Sequence, residues 1–527
     1  MNVIVYNRME KLEVLKMNRL QTYYEQLQLP LKSLFLGCFL ITIGSIIANP
    51  YIVMIFKFNS PLFVTASKLL LYAGGIILSY FPLYVFIKLL THRNDETNVV
   101  VTGFISYLVF LVVMTLLSPT TSPKAAYSDI LNITIGNESY GLFKTGIFGF
   151  LAVLLVVRYC YRSHKETTGF SQVSYLDRDT IKLVNSIIGS AIVGAIFAYG
   201  WPMFVDGIYN ALKFISSDSH NPMSLFAYGG LERLLTLGNI QTMMHQEIWL
   251  GSLGGSWMNI GGETFVGDAN IWTAQLKEGL NMISGAGRYT SAYYVLNLFA
   301  IPGYLLAVIS TISNKKVLKK NISLFIIVIL TSMLGGIIFP VELLMLLTSP
   351  ILYFFHLFMT AFIYAILVGF GATVGFSYLG TLTSATPGNL IDFIGLMRNT
   401  VMFNKIMIIL LVGIITFIIY FAMTRFYYSR MAIDVLNIGS KKERVNDFIE
   451  RLGGLENIEA ISSTPTHIHV ALRDRDELNV SGLHRQGVTR IVETRQGFTL
   501  SVGSSSYMLQ RAVNRHLDAL PKEETEE

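Results

Sequence analysis

Few side chains in the apolar body of this chain can carry charge. Glu232 and Arg233 stand together in YGGLERLL, Glu342 in FPVELL, Asp392 in NLIDF and Arg288 in GAGRYTS. An ionised group facing lipid is costly, so Glu232, Arg233, Glu342 and Asp392 are expected to face protein or a water-filled cavity. There they can touch a solute. Glu232 and Arg233 suit a local structural pairing equally well, and Arg288 is placed at a span entrance. A second constellation lies near the C-terminus, in AISSTPTHIHV. His467 and His469 alternate along an expected strand and so share a face. Two such imidazoles can hold an anion when protonated, join His484 around a metal, or sense pH; a solvated polar strand face is the plain alternative. Cys38 and Cys160 fall in apolar stretches and read as packing residues, so neither a disulfide framework nor a metal cluster is expected.

The elements that hold these residues follow from composition. The chain has 527 residues, of which 52% are hydrophobic and 14% charged. A soluble domain carries about a quarter charged residues. Apolar runs near 20 residues recur along the sequence, the length of a membrane-crossing helix. Together they indicate a polytopic α-helical membrane protein. Spans are expected near 32–56, 63–90, 99–118, 142–161, 181–205, 289–312, 321–338, 350–378 and 403–425. Counting re-entrant hairpins, that is about ten membrane segments.

Lys and Arg set the orientation. They crowd before the first span, after the second, between the fourth and fifth, at 315–320 and after the last, whereas the loop 119–141 holds one Lys. This places the N-terminus and the C-terminal module inside and the 119–141 loop outside. The net charge of +6 is therefore topogenic, and no nucleic-acid partner is implied. Residues 1–30 read as an amphipathic cytoplasmic lead. The region 206–288 is expected to be irregular, and GSLGGSWMNIGGETFVGDAN is too rich in Gly for a helix. Gly and Pro also interrupt GGIIFPVELLMLLTSP and LGTLTSATPGNLIDF. Broken backbone at membrane depth is tolerated where protein or a cavity covers it, and such segments commonly frame a transporter's substrate site.

These segments carry a family resemblance. GLERLLTLGNIQ, GDANIWTAQ, GRYTSAYYVLNLFAIPGYLLAVI, GGIIFPVELLMLLTSPILYFFHLFMTAFIYAILVGFGATVGFS and LIDFI occur in the order found in the bacterial phosphotransferase system membrane subunit, EIIC, of the glucose/N-acetylglucosamine/maltose class. The tail, from GGLENIEAISSTPTHIHVALRD to VTRIVETRQGFTLSVGS, resembles the EIIB domain often fused behind it. The resemblance covers roughly residues 30–518.

It implies a membrane domain at 31–430, with a scaffold and dimer part at about 31–205 and a transport part at 206–430. A linker at 431–440, a small α/β EIIB-like domain at 441–518 and an acidic tail at 519–527 follow. In the tail, helices are expected near 442–454, 475–485 and 505–517, and strands near 466–473, 488–494 and 497–502. The resemblance further implies a homodimer in the bacterial inner membrane. Its activity is sugar transport with phosphorylation, the phosphoryl group arriving through HPr and EIIA on an EIIB cysteine. A low-pKa thiolate suits that relay as both acceptor and leaving group. No cofactor or metal is implied.

The sequence departs from that pattern at its reactive positions. The phosphocysteine position is occupied by Thr464, and no cysteine follows Cys160. The phosphate-holding arginines are replaced by His467 and His469. In the sugar site the family's histidine pair is Ile240 and Gln241, and the Thr and Glu beside the reacting hydroxyl are Ile338 and Phe339. Arg233, Pro340 and Glu342 are retained. Substrate-binding candidates are thus Arg233, Gln241, Ile338, Phe339 and Glu342, with His245 a possible stand-in for the lost histidines. The expectation is a permease homologue that moves a sugar or related solute across the inner membrane without phosphorylating it. Alternatives are a membrane sensor or regulator on the same scaffold, and an active phosphotransferase served by a separate EIIB. Partners expected are the solute, the bilayer, a second copy, and a phosphocarrier or regulatory protein at the tail.

Overall fold

A computed structural model describes residue 27 and residues 29–518 apart from 92–96, 120–121, 136–137, 163–177, 280–284, 313–314, 432–440, 465, 486–487, 489, 496 and 504–505. The expected amphipathic lead, most of the linker and the acidic tail fall outside the described residues.

Eight helices among the described residues are long and apolar enough to cross a membrane. The first, α1 (Leu29–Ala48), breaks at Asn49, which caps α2 (Pro50–Phe56) by accepting the Tyr51 N–H. Asn49 also donates to Asp392 Oδ1 at 2.7 Å, tying this break to a distant hairpin. The expected span 63–90 is two helices, α3 (Pro61–Ser79) and α4 (Phe81–Leu90). Pro82 explains the division, because it lacks the N–H that would continue α3 and its ring would meet the carbonyl of Leu78, whereas the first turn of α4 accommodates it. Then comes α5 (Thr97–Leu117). The 119–141 loop contains an antiparallel hairpin that reading as a loop had missed, β1 (Tyr127–Ile135) and β2 (Glu138–Phe143). It is followed by α6 (Gly146–Arg162) and the 40-residue α7 (Arg178–Ser217), which packs on α5.

The region 206–288 is more helical than expected. Asn221 caps α8 (Pro222–Leu237) by accepting the Met223 N–H, and Pro222 sits in the first turn, where its missing N–H costs nothing. After a turn at Gly238–Asn239 comes α9 (Gln241–His245), continued by a π-helical turn at Gln246–Leu250. The Gly-rich run forms a small hairpin, β3 (Ser256–Met258) and β4 (Thr264–Val266), before α10 (Asp268–Lys277).

Beyond it, α11 (Ala292–Val295), a second π turn (Leu296–Ala300) and α12 (Ile301–Thr311) form one deeply buried rod, and α13 (Lys315–Gly335) crosses back. Gly336, at φ +61°, breaks the chain so that α14 (Phe339–Thr348) starts inside the protein. The next span, α15 (Pro350–Gly369), is shorter than the expected 350–378; turns and extended chain occupy most of 370–389. The short α16 (Leu390–Met397) and the long α17 (Thr400–Met431) close the membrane part.

The C-terminal region is a small α/β unit with its own core, built on Phe448, Leu452, Ile468, Leu483, Leu500 and Val513. Its elements are α18 (Lys441–Arg451), β5 (Ile458–Ser463), β6 (His467–Leu472), α19 (Val480–Arg485), β7 (Arg490–Thr494), β8 (Gly497–Ser501) and α20 (Ser506–Asp518). The strands form one antiparallel sheet in the order β5-β6-β8-β7. The expected strands were three. The fourth, β5, has an irregularity between Ile458 and Ala460 that breaks the alternation a strand would show in sequence.

Candidate functional site

The ionisable residues of α8 sit where three segments meet. A Cβ at Gly229 would collide with Tyr364 and Ala361 of α15, so glycine there lets α8 and α15 approach closely. That approach delivers Tyr364 to Glu232, with its hydroxyl donating to Oε2 at 2.9 Å. One helical step along, Arg233 faces α14 and α11. Its Nη1 donates to Glu342 Oε1 at 2.6 Å, its Nη2 donates to the Tyr293 hydroxyl at 2.9 Å, and Nη2 lies 3.1 Å from Glu232 Oε2. Tyr293 in turn donates to Glu232 Oε1 at 2.5 Å. Each carboxylate also meets a histidine. His245 Nε2 lies 2.8 Å from Glu232 Oε1, and His356 Nε2 lies 2.9 Å from Glu342 Oε1. Beyond it, His356 Nδ1 pairs with the Tyr420 hydroxyl at 2.8 Å.

The result is a buried ladder running His245–Glu232–Arg233–Glu342–His356. Glu232 is 0% exposed, Arg233 2%, Glu342 1%, His245 5% and His356 0%, so bulk water screens little of it. Buried charges persist only when paired and hydrogen-bonded, and here the pairing is shared among five side chains on four helices.

A recess opens beside the ladder, with about 80 Å³ of room for the centres of water-sized groups. Arg233, Gln241, Ile338, Phe339 and Glu342 all line it, as do His245, Trp249, Tyr293, Asn239 and Thr236. The five candidates read from sequence are thereby brought together from α8, α9 and the start of α14. Ile338 and Phe339 supply an apolar wall, and Phe339 meets Phe81 edge-on with ring centres 5.8 Å apart. His245 stacks flat on Trp249 at 3.8 Å, which fixes its ring plane.

Five buried polar atoms on lining residues have no partner among the described residues: Arg233 Nε, Gln241 Oε1, His245 Nδ1, Trp249 Nε1 and Glu342 Oε2. An unsatisfied buried polar group costs about 1–3 kcal/mol. Five of them gathered on the residues around one recess make it the strongest candidate for a polar solute site.

Sequence reasoning gave Glu232 and Arg233 two open roles. The geometry joins them, since Arg233 both pairs with Glu232 and lines the recess. It passed over His356, Tyr293, Tyr364 and Trp249. The lone histidine inside the apolar run HLFMT was the available signal, because an ionisable group at membrane depth needs a partner.

Asp392 belongs to a separate knot. It accepts from the Ser377 N–H at 2.8 Å and from Asn389 Nδ2 at 3.1 Å, besides Asn49. It does not line the recess.

In the tail, the hairpin between β5 and β6 carries Thr464. The Thr464 N–H donates to the His467 carbonyl at 2.9 Å and the His467 N–H donates to Thr464 Oγ1 at 3.2 Å, so the hydroxyl is occupied in holding the turn. His467 and His469 share the outer face of β6, with Ile468 and Val470 buried between and beyond them. His467 Nδ1 pairs with the Thr466 hydroxyl at 2.8 Å, and His469 Nδ1 with that of Thr499 at 2.9 Å. Partial burial, and then the charges of His469 and Arg490, hold the His467 pKa below that of a free histidine. His484 spends its Nδ1 on the Val488 carbonyl at 2.7 Å. Among the described residues no three His, Cys, Asp or Glu side chains stand together as a metal site, so the sequence option of a metal held with His484 is dropped.

The family described as "Phosphotransferase system, EIIC" has a model that matches residues 25–361, well over half of the chain. The matched stretch holds the whole ladder and most of the recess.

Proposed function

The chain belongs to the phosphotransferase system EIIC family, and on that premise we propose that it carries a sugar through the recess without phosphorylating it by its own tail. The family and the eight apolar helices make it a multi-pass membrane protein and a sugar permease of that system. The finer reading concerns which residues act and what they no longer do.

One observation carries it: Arg233 Nε, Gln241 Oε1, His245 Nδ1 and Glu342 Oε2 are buried, unpartnered and gathered on the lining of one recess. A sugar offers hydroxyls in many directions, each both donor and acceptor, and so can satisfy two acceptors and a cationic donor at once. Arg233 and Glu342 would orient the ring from the polar side. Ile338 and Phe339 would contact its less polar face.

Phosphorylation needs more than binding. The reacting hydroxyl must lose a proton, and the phosphoryl donor must be held in line. With Phe339 where the family places a carboxylate, the recess lacks a base at that position. This argues equally against phosphoryl transfer from a separate EIIB. In the tail, Thr464 stands where the relay thiol would be. A threonine hydroxyl ionises far above neutral pH, and this one is engaged in its hairpin turn. His467, whose charged form its surroundings disfavour, is a poor replacement for a phosphate-holding arginine.

In this reading the glucose/N-acetylglucosamine/maltose class supplies the substrates to try first. Residues 441–518 are an EIIB-like domain retained for contact with a phosphocarrier or regulatory protein, and the protein is a homodimer of the bacterial inner membrane with both ends cytoplasmic. The test is exchange of labelled glucose, N-acetylglucosamine and maltose across liposomes holding the purified chain. Saturable exchange lost in Glu342→Gln supports the reading; no exchange of any of the three overturns it.

A further inference from the structure

The ladder holds two carboxylates and one guanidinium. With both histidines neutral its formal charge is one negative, sealed at 0–5% exposure. Tautomers follow from the partners. Glu232 and Glu342 as carboxylates only accept, so each histidine presents N–H at Nε2 and keeps its lone pair at Nδ1. At His356 that lone pair takes the Tyr420 O–H. At His245 it is buried and has no partner, and His245 lines the recess. The two rings are otherwise alike, so one end of the ladder is closed and the other is open.

We propose that His245 is a proton-coupling site, taking one proton at Nδ1 from water entering the recess and releasing it on the other side, so that solute and proton cross together. The step forms one N–H bond, turns imidazole into imidazolium beside Glu232, and brings the ladder to neutrality. Its physical advantage is direct. A buried net charge is costly, and each charge moved against a membrane potential costs about 2.3 kcal/mol per 100 mV. A permease that gains nothing from phosphorylation also has no other source of accumulation. In that sense the inference rests on the permease reading.

The groups around His245 fit a single-proton site. From α8 come Glu232 and Arg233, from α11 Tyr293, from α15 Tyr364 through Glu232, and from α14 Glu342 across the recess. Trp249 of its own segment covers one face of the ring. On the outer side of α9, Lys144 donates to Thr242 at 2.6 Å; the exposed Lys124 and, on α7, the half-buried Asp206 are among the charged residues of the elements packed there. The half-buried Glu247 stands two residues along the same segment. The carboxylates joined to His245 by contacts are Glu232 directly and Glu342 through Arg233.

Two measurements test this on the full chain. The first needs no solute: nitrogen NMR of isotope-labelled histidines in lipid nanodiscs, with the His245 signal assigned by its loss in His245→Gln. The expected result is an Nε2–H tautomer that gains a second proton, at Nδ1, on acidification, a change that Glu232→Gln displaces. A ring that keeps one protonation state throughout, or is indifferent to Glu232→Gln, overturns the site. The second uses liposomes with an inward acid gradient and labelled glucose, N-acetylglucosamine or maltose at equal concentration on both sides. One coupled proton gives about tenfold accumulation per pH unit, abolished by a protonophore and in His245→Gln. Exchange without accumulation overturns the coupling and leaves the permease reading intact. Absence of both overturns the permease reading, and the NMR titration then still decides the proton site.

Discussion

The recess in the membrane and the hairpin in the tail are the two places where the proposed reading expects altered chemistry, and their polar groups are arranged differently. In the recess, Ile338 and Phe339 form an apolar wall beside a dense ion ladder and several polar atoms that have no partner among the described residues. In the tail, Thr464, His467 and His469 have their hydroxyl and ring groups committed to hairpin and cross-strand bonds. A site kept for binding leaves polar atoms unsatisfied at a cost of about 1–3 kcal/mol each. A structural hairpin lets its polar groups settle on one another. We read the recess as kept for binding and the hairpin as structural.

Breaking the ladder at its centre should have the largest effect. Arg233→Met leaves Glu232 and Glu342 buried without their shared cation, and removing one member of a buried pair costs about 3–5 kcal/mol. The variant should melt well below the wild type in detergent and lose exchange. Arg233→Lys should recover part of the stability, since it restores charge without the forked geometry. If Arg233→Met melts with the wild type, the ladder is not what holds α8, α11 and α14 together.

Gln241→Ala sharpens the comparison from the other side. The Oε1 atom has no protein partner to abandon, so stability should hold or rise, by at most the roughly 1–3 kcal/mol that an unsatisfied buried group costs. Solute affinity should fall roughly tenfold, the worth of one lost hydrogen bond at about 1.4 kcal/mol. Competition between sugars in the exchange assay reads the affinity. A large loss of stability with affinity unchanged would make Gln241 structural.

In the tail, Thr464→Cys should leave stability nearly unchanged and yield no phosphate label from phosphoenolpyruvate and the soluble carriers. A thiol alone lacks the arginines that hold the phosphoryl group. Restoring them too, in Thr464→Cys with His467→Arg and His469→Arg, should produce a labelled tail. Label on Thr464→Cys alone would mean that the hairpin is still a working phosphate loop.

The smallest effect is a pH slope. His467 has a folded-state pKa below its unfolded value, so between the two the unfolded chain binds more protons. Its contribution to stability is present above the unfolded histidine pKa and is lost as pH falls through the folded one. His467→Gln should flatten that part of the stability curve of the tail, as read by its melting in the full chain. An unchanged curve would show that the ring is as well solvated as in the unfolded chain.

Much of this was legible in residues. The long apolar runs gave the spans, because crossing a bilayer fixes both length and composition. Arg233, Gln241, Ile338, Phe339 and Glu342 could be named because they stand at fixed places in recognisable segments. What the sequence concealed was partnership. Tyr293, Tyr364 and Trp249 sit in runs where an aromatic is read as packing, and only the fold shows their polar atoms beside Glu232 and the recess. The split at Tyr80 was signalled by Pro82 but outweighed by the continuous apolarity around it. The helical character of α8 and α10 was masked by their Gly-rich neighbours. Strand β5 was lost to its irregularity near Ala460, which spoils the period of two.

The most direct test of the central claim puts the full chain in liposomes with phosphoenolpyruvate, the soluble carriers of the system and labelled glucose, and follows phosphate and sugar together. The account predicts that glucose crosses and is recovered unphosphorylated, with no phosphate on residues 441–518. Sugar phosphate inside the liposomes, or phosphate on Thr464, would contradict it.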